Sequence, residues 1–444
     1  VLTGANTATG GLAADAATVV FASAAAVPPE GLFALTRHAR LDFEGEQDLG
    51  AIVPRVAAGS DGLLVVCRPT EQTADLDLAH APGLVLGVRG TNVVYSGTIT
   101  PGGGAYRFGG GNLPYNSFYR GFTVAKPLAD AGGATRVELS DPGLVALPAA
   151  STYSGGTRIS GGAALYVEAD VFGAVPAEAD PDNIVLDNGI LRGGQATVEI
   201  PATRGMTVAA GGGRIHEWGL SAMTFRGDLH GEGPLTVSDS GLVTFGGAAN
   251  DYTGALKVEK GGQVQIGTGD TFSCDAGTGA QVDGTLILKT DADRTLGQTF
   301  TGGGTLCKEG AGTLTLAGRQ EAATTEVKAG TLRVARPEVI ATAAGKGVLC
   351  VRKGGTFETD GQALAVTALA GDGRVANGSG AAAELRVGSE RRTVAGEFSG
   401  TLADTLTLVK TGANTQTLSQ TSASAPALAR ARVEAGVLAL ARSP

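Results

Sequence analysis

The chain has 444 residues and a formal net charge of −9, with Gly at 71 positions, charged residues at 17% and aromatics at 5%. Glycine stands at about twice its usual ~7% share and charge falls well below the usual ~25%, which disfavours several thick globular cores and favours a thin, repeated one. The acidic balance, without a basic stripe, argues against a nucleic-acid partner, and a mean hydropathy of +0.12 with regular aliphatic alternation argues against disorder.

The chain starts at Val1 with no initiator Met, which points to a piece of a longer precursor. No run of 18 or more apolar residues occurs. The longest uncharged stretch near the start, residues 16–29, holds Pro28-Pro29 and follows no basic segment, so neither a transmembrane helix nor a signal peptide is read there. Residues 1–82 carry a loose strand pattern, and residues 83–444 carry a clear repeat with an aromatic-rich elaboration at 102–127.

The repeat is an aliphatic residue, two variable positions, Gly, and then alternating apolar residues. It reads Ile159-Ser160-Gly161-Gly162 leading to Leu165-Tyr166-Val167, then Val258-Glu259-Lys260-Gly261 leading to Val264-Gln265-Ile266. Val327-Lys328-Ala329-Gly330-Thr331-Leu332-Arg333-Val334 and Val433-Glu434-Ala435-Gly436-Val437-Leu438-Ala439-Leu440 follow. Weaker copies lie at 184–191, 237–245, 282–288 and 351–357. Each copy predicts two short strands with inward residues at period two, separated by a Gly turn. Short strands recurring with almost no helical periodicity between them predict an all-β chain continued by stacking, a parallel β-helix. At an assumed ~22 residues per coil and ~4.8 Å between layers, the expectation is about 20 coils in an elongated rod of about 95 Å.

These segments resemble the autotransporter-associated β-strand repeat of bacterial autotransporter passengers and very large secreted surface proteins. The Lys-Thr-Gly-x-Gly-Thr-Leu-Thr-Leu-x-Gly stretch of that family is matched by Lys308-Glu309-Gly310-Ala311-Gly312-Thr313-Leu314-Thr315-Leu316-Ala317-Gly318, with a degraded copy at 410–419. Its Asn-x-Tyr-Thr-Gly-Gly-Thr turn is matched by Thr152-Tyr153-Ser154-Gly155-Gly156-Thr157 and by Asn250-Asp251-Tyr252-Thr253-Gly254-Ala255. Matching segments cover 83–440. The resemblance implies a right-handed parallel β-helix, located extracellularly or on the bacterial cell surface, with adhesive or scaffolding roles and no active site. It also implies a C-terminal membrane barrel, which this sequence does not contain.

Several residue groups were candidates for function. Tyr106, Phe108, Tyr115, Phe118, Tyr119 and Phe122 fall within 17 residues, where an even spread would place fewer than one aromatic. With Arg107 and Arg120 among them, they read either as a binding surface for a glycan or surface protein, or as a local apolar cluster. Arg214-Ile215-His216-Glu217-Trp218 groups an imidazole, a carboxylate and the sole Trp. On a strand, His216 and Trp218 share one face and Glu217 takes the other, so any acid or base partner must come from a neighbouring coil. Asp180-Pro181-Asp182-Asn183 and Asp187-Asn188 offer oxygens to calcium but read better as solvated corners.

The four His and four Cys show no metal-ligand spacing, so no metal or cofactor is expected. A disulfide among Cys274, Cys307 and Cys350 stays open. Neither end shows a cap, which reads either as a piece cut from a longer array or as end-to-end stacking of Val1 and Leu2 against Val437, Leu438 and Leu440 into a fibre. The reading is a structural or adhesive β-helix, not an enzyme. A carbohydrate-active lyase or hydrolase using acidic residues from adjacent coils is the alternative.

Overall fold

The computed structural model describes residues 1–68, 70–90, 92–109, 121–219, 221–269, 279–337, 347–391, 394–403, 405–420 and 430–442. The chain divides into two compact units, Val1–Leu235 and Thr236–Pro444. Both are β-solenoids whose ladders are parallel throughout. Helix is confined, among the described residues, to Leu49–Ile52 and the short 3-10 turns Ala24–Ala26 and Val53–Arg55, and no helix there is long and apolar enough to cross a membrane.

In the first unit a ten-stranded sheet runs from Thr18–Phe21 to Leu229–Gly231. Its interior is a column of residues paired rung to rung: Leu41, Leu64, Leu86, Phe108, Leu139, Ile159, Leu186 and Val208. None is more than 1% exposed. A second ladder in this unit builds the column Val93, Phe122, Val145, Leu165, Leu191 and Ile215, equally buried. Period-two alternation sends one residue in two to these columns and the next to solvent, so small aliphatics suffice to fill the tube.

The second unit repeats the scheme. Val243, Val264, Leu286, Leu306, Thr325, Leu349 and Leu369 stack through one sheet, while a six-stranded sheet from Arg294–Leu296 to Thr401–Leu402 and a four-stranded sheet from Leu364–Val366 to Arg430–Val433 form other walls. The strand–turn–strand copies read from sequence all appear, for example Thr324–Val327 followed by Gly330–Val334, and Arg430–Val433 followed by Val437–Arg442.

The rungs number about 17 among the described residues, fewer than the expected 20. The reason is uneven coil length: register partners lie 22 residues apart for Leu64 and Leu86, 19 for Leu306 and Thr325, and 31 for Phe108 and Leu139. The connections differ in length while the inward columns stay aligned across local register shifts, as expected where one face is buried and a one-residue slip would turn the core outward.

Outward positions carry charge in rung-to-rung pairs. Arg107 meets Glu138 at 2.8 Å, Arg352 meets Glu326 at 2.7 Å, Lys328 meets Glu309 at 3.1 Å and Arg333 meets Glu358 at 2.8 Å. Such half-exposed pairs add little stability each, but they keep like charges apart along a stacked face.

Two buried cations lock the corners. Lys308 is 1% exposed and occupies an inward position between Leu288 and Val327. Its Nζ donates to the carbonyls of Glu309 and Gly310 at 2.7 Å and of Ala329, one rung on, at 3.3 Å. Lys410, fully buried, repeats this against Gly412 at 3.1 Å, Asn414 Oδ1 at 3.0 Å and Ala435 at 3.4 Å. The glycine after each capped alanine explains the rest of the motif. Gly330 has φ +63°, and a Cβ there would meet the Gly310 carbonyl at 2.3 Å; Gly436 has φ +72° and would meet Gly412 at the same distance. The Lys-x-Gly of one rung and the Ala-Gly turn of the next are therefore two halves of one joint.

Arg204, a further buried cation, is fully enclosed in the first unit. Its guanidinium reaches Asp170 Oδ2 at 3.0 Å, Asn183 Oδ1 at 2.7 Å and the carbonyls of Phe172, Gly173 and Ala174 at 2.6–3.0 Å. It pins the connection between the strands Ala163–Val167 and Asp180–Asp187 onto the tube.

Candidate functional site

The aromatic cluster divides in two. Tyr115, Phe118, Tyr119 and Arg120 lie outside the described residues. Tyr106, Phe108 and Phe122 are core: 4%, 0% and 1% exposed, with ring centroids 6.5 Å apart for Tyr106 and Phe108 and 5.6 Å for Phe108 and Phe122. The binding role read for these three is corrected, because each takes an inward position in a stacked column. Arg107, between two inward aromatics, points out to Glu138 and the Gly102 carbonyl. At the ends, Val1, Val437 and Leu440 are exposed (84%, 53% and 77%), Leu2 less so, and Leu438 is half-buried.

The Asp-rich stretch is not a corner. Asp180-Pro181-Asp182-Asn183 opens the strand Asp180–Asp187, where Asp180 accepts from Asn183 at 3.1 Å and Asn183 faces Arg204. Asp187 pairs with Arg158 and accepts from the Gly211 amide at 3.1 Å. Its oxygens are thus taken up by the protein, and no group of metal-ligating side chains occurs among the described residues.

Cys67, Cys307 and Cys350 carry free thiols, so neither Cys307 nor Cys350 joins a disulfide, and Cys274 lies outside the described residues. Burial pushes the Cys307 thiol up to about 12 and raises those of Cys67 and Cys350, the opposite of what a nucleophilic thiol needs.

The most chemically varied surface among the described residues is built around the sole Trp. The strands Ala163–Val167, Gly189–Gly193 and Gly213–His216 lie side by side, and register pairs Tyr166 with Arg192 and Arg192 with His216. Because Leu165, Leu191 and Ile215 point inward, Tyr166, Arg192 and His216 all point outward. Two residues on, Glu168 and Trp218 share that face.

The Arg192 guanidinium carbon sits 5.6 Å from the Tyr166 ring centroid and 5.8 Å from that of Trp218, with Nη1 donating to the Gly193 carbonyl at 3.0 Å. Arg192 is itself 4% exposed, so it acts as a buried wedge that holds two half-exposed rings by cation–π attraction. The Tyr166 hydroxyl donates to exposed Glu168, whose side chain lies across Gly194: a Cβ there would meet Glu168 Cγ at 2.2 Å and the Tyr166 hydroxyl at 2.9 Å.

Glu217 turns inward, as its position between His216 and Trp218 predicts. It is 1% exposed, with Oε1 2.5 Å from Ser221 Oγ, and Gly193 makes room for it, since a Cβ there would lie 1.7 Å from Oε2. Glu168 and Glu217 therefore occupy opposite faces of the sheet and do not form an acid–base pair across a shared groove. The sequence singled out 214–218 but missed Tyr166, Glu168 and Arg192. The signal that could have found them is the alignment of Tyr166 in one repeat copy with the Arg two residues after Ile190 in the next.

Comparison with known proteins fixes the class. Residues 140–163, 235–266 and 306–334 match the passenger-associated-transport-repeat family, and the last of these contains Lys308 and its Gly330 joint. The adhesin BmaC autotransporter of Brucella suis biovar 1 (strain 1330) is 32% identical over 213 residues, which covers 44% of this chain. The matched region is 6% of that relative's length, so the chain spans only a small part of it. No solved structure matches. The chain carries passenger-associated-transport repeats and resembles an autotransporter passenger, which places it among extracellular, cell-surface proteins.

Proposed function

We propose that the chain is a non-enzymatic adhesive segment of a passenger, in which the stacked core is scaffold and the outward faces make contact with a target surface. The observation that carries this reading is the similarity to an adhesin over nearly half the chain, combined with a fold in which one residue in two is free to vary outside a fixed tube. The buried Glu217 and the separation of the two carboxylates at the Trp218 surface support adhesion over glycan cleavage. Beads coated with the purified chain are expected to adhere to cultured mammalian cells saturably and in competition with soluble chain. Adherence no greater than that of beads coated with an unrelated β-solenoid would overturn the reading.

A further inference from the structure

The outward face around Trp218 brings aromatic rings, a cation and a carboxylate together across three rungs. Here two half-exposed aromatic rings flank one buried guanidinium, and an exposed carboxylate lies beside them. Tyr166 and Trp218 come from rungs two apart, which at ~4.8 Å per rung offsets their backbones by roughly 10 Å along the stacking direction, about the length of two linked pyranose units. Arg192 holds both rings by cation–π contact, so little side-chain freedom is lost when something lies against them. The Glu168 carboxylate sits at the edge of the Tyr166 ring as an acceptor for hydroxyl donors, and His216 offers a further polar edge in the same column. Arg192 is enclosed, and the more accessible charges on this face, Arg214 and Glu168, are opposite in sign, which disfavours a strongly anionic or cationic ligand.

We propose that Tyr166, Trp218 and Glu168 form a binding site for a neutral pyranose glycan lying across the rungs, with the rings against the apolar faces of successive sugars and Glu168 accepting from their hydroxyls. Arg192 is a positioning residue for the rings. The proposal rests on the adhesive reading above, to which it adds the ligand class and the site. The alternative occupant of an aromatic and arginine surface, a protein partner, is decided by the test.

The chain has a single Trp, so its emission reports on the site directly. The full chain would be titrated with cellohexaose, mannohexaose, maltohexaose and chitohexaose while Trp218 fluorescence is followed. A saturable change with at least one probe is expected, weakened tenfold or more in Tyr166→Ala and several-fold in Glu168→Gln. Glu168 is exposed, so the second variant leaves the core untouched, and unchanged far-ultraviolet circular dichroism would verify folding in both. No saturable change with any probe into the millimolar range, or equal affinity in both variants, would overturn the site. Bead adherence that survives enzymatic removal of cell-surface glycans but is lost in Tyr166→Ala would overturn the glycan in favour of a protein partner. Failure of wild-type beads to adhere at all would sink the adhesive reading while leaving the titration to judge the glycan site.

Discussion

Replacing Arg204 with methionine is expected to destabilise the first unit by about 3–5 kcal/mol, the range for breaking a buried, hydrogen-bonded charge pair by removing one partner. Methionine fills much of the volume, so the loss is polar. Asp170, Asn183 and the carbonyls of Phe172, Gly173 and Ala174 lose the common donor that a fully enclosed guanidinium supplies. The consequence is local: the connection before the strand Asp180–Asp187 loosens first, and protease nicking near residues 168–180 should precede global unfolding. Urea unfolding of wild type and variant, with limited proteolysis, checks both points. A change below about 1 kcal/mol would mean that water replaces the guanidinium and that the loop holds itself.

The second large effect is expected at the lysine joint. Lys308→Met leaves the carbonyls of half-buried Glu309, Gly310 and Ala329 without their shared donor, at about 1–3 kcal/mol for each group left unsatisfied, partly offset because water reaches some of them and because methionine is easier to bury than an ammonium. A net loss of about 3 kcal/mol follows. The pH dependence gives a second readout. Burial holds the Lys308 pKa down to about 8, against the raising influence of Asp291, Cys307 and Glu309, whereas an unfolded lysine titrates near ~10.4. Between these values the unfolded chain binds more protons than the folded one, so the Lys308 contribution to stability grows as pH rises from about 8 and is complete above the unfolded value. The advantage of wild type over Lys308→Met in urea midpoint should therefore widen from pH 8 to pH 10. A constant or shrinking gap would contradict the burial of the ammonium.

Both cations show where sequence reading stops. The aliphatic columns were legible because alternation such as Val264-Gln265-Ile266 is periodic within one strand, and the turn glycines were legible because they recur at fixed offsets. Lys308 was read only as part of a family motif, since nothing in its own neighbourhood says that a lysine points inward; the recurrence of Lys-x-Gly at 410–412 was the available clue. Arg204 gave no signal, because Asp170 and Asn183 become its partners only after two coils stack.

The aromatic cluster misled for a related reason. Tyr106 and Phe108, spaced by two with Arg107 between, carry the mark of an inward face, which local density obscured. Tyr166, Arg192 and Trp218 were unreadable as a group because uneven coil lengths set which residues meet, and those lengths are fixed by loops rather than by strand pattern.

The register of the stacked coils is the claim on which the core columns, the joints and the Trp218 surface all depend. Arg158 and Val185 are outward neighbours on adjacent rungs, and Thr207 stands one rung beyond. With the four native cysteines replaced by alanine, a pair of cysteines at 158 and 185 should be bridged rapidly by a bifunctional thiol reagent spanning about one ~4.8 Å rung, and a pair at 158 and 207 should not. Equal bridging of both pairs, or none at 158 and 185, would contradict the stacked register and the surfaces built on it.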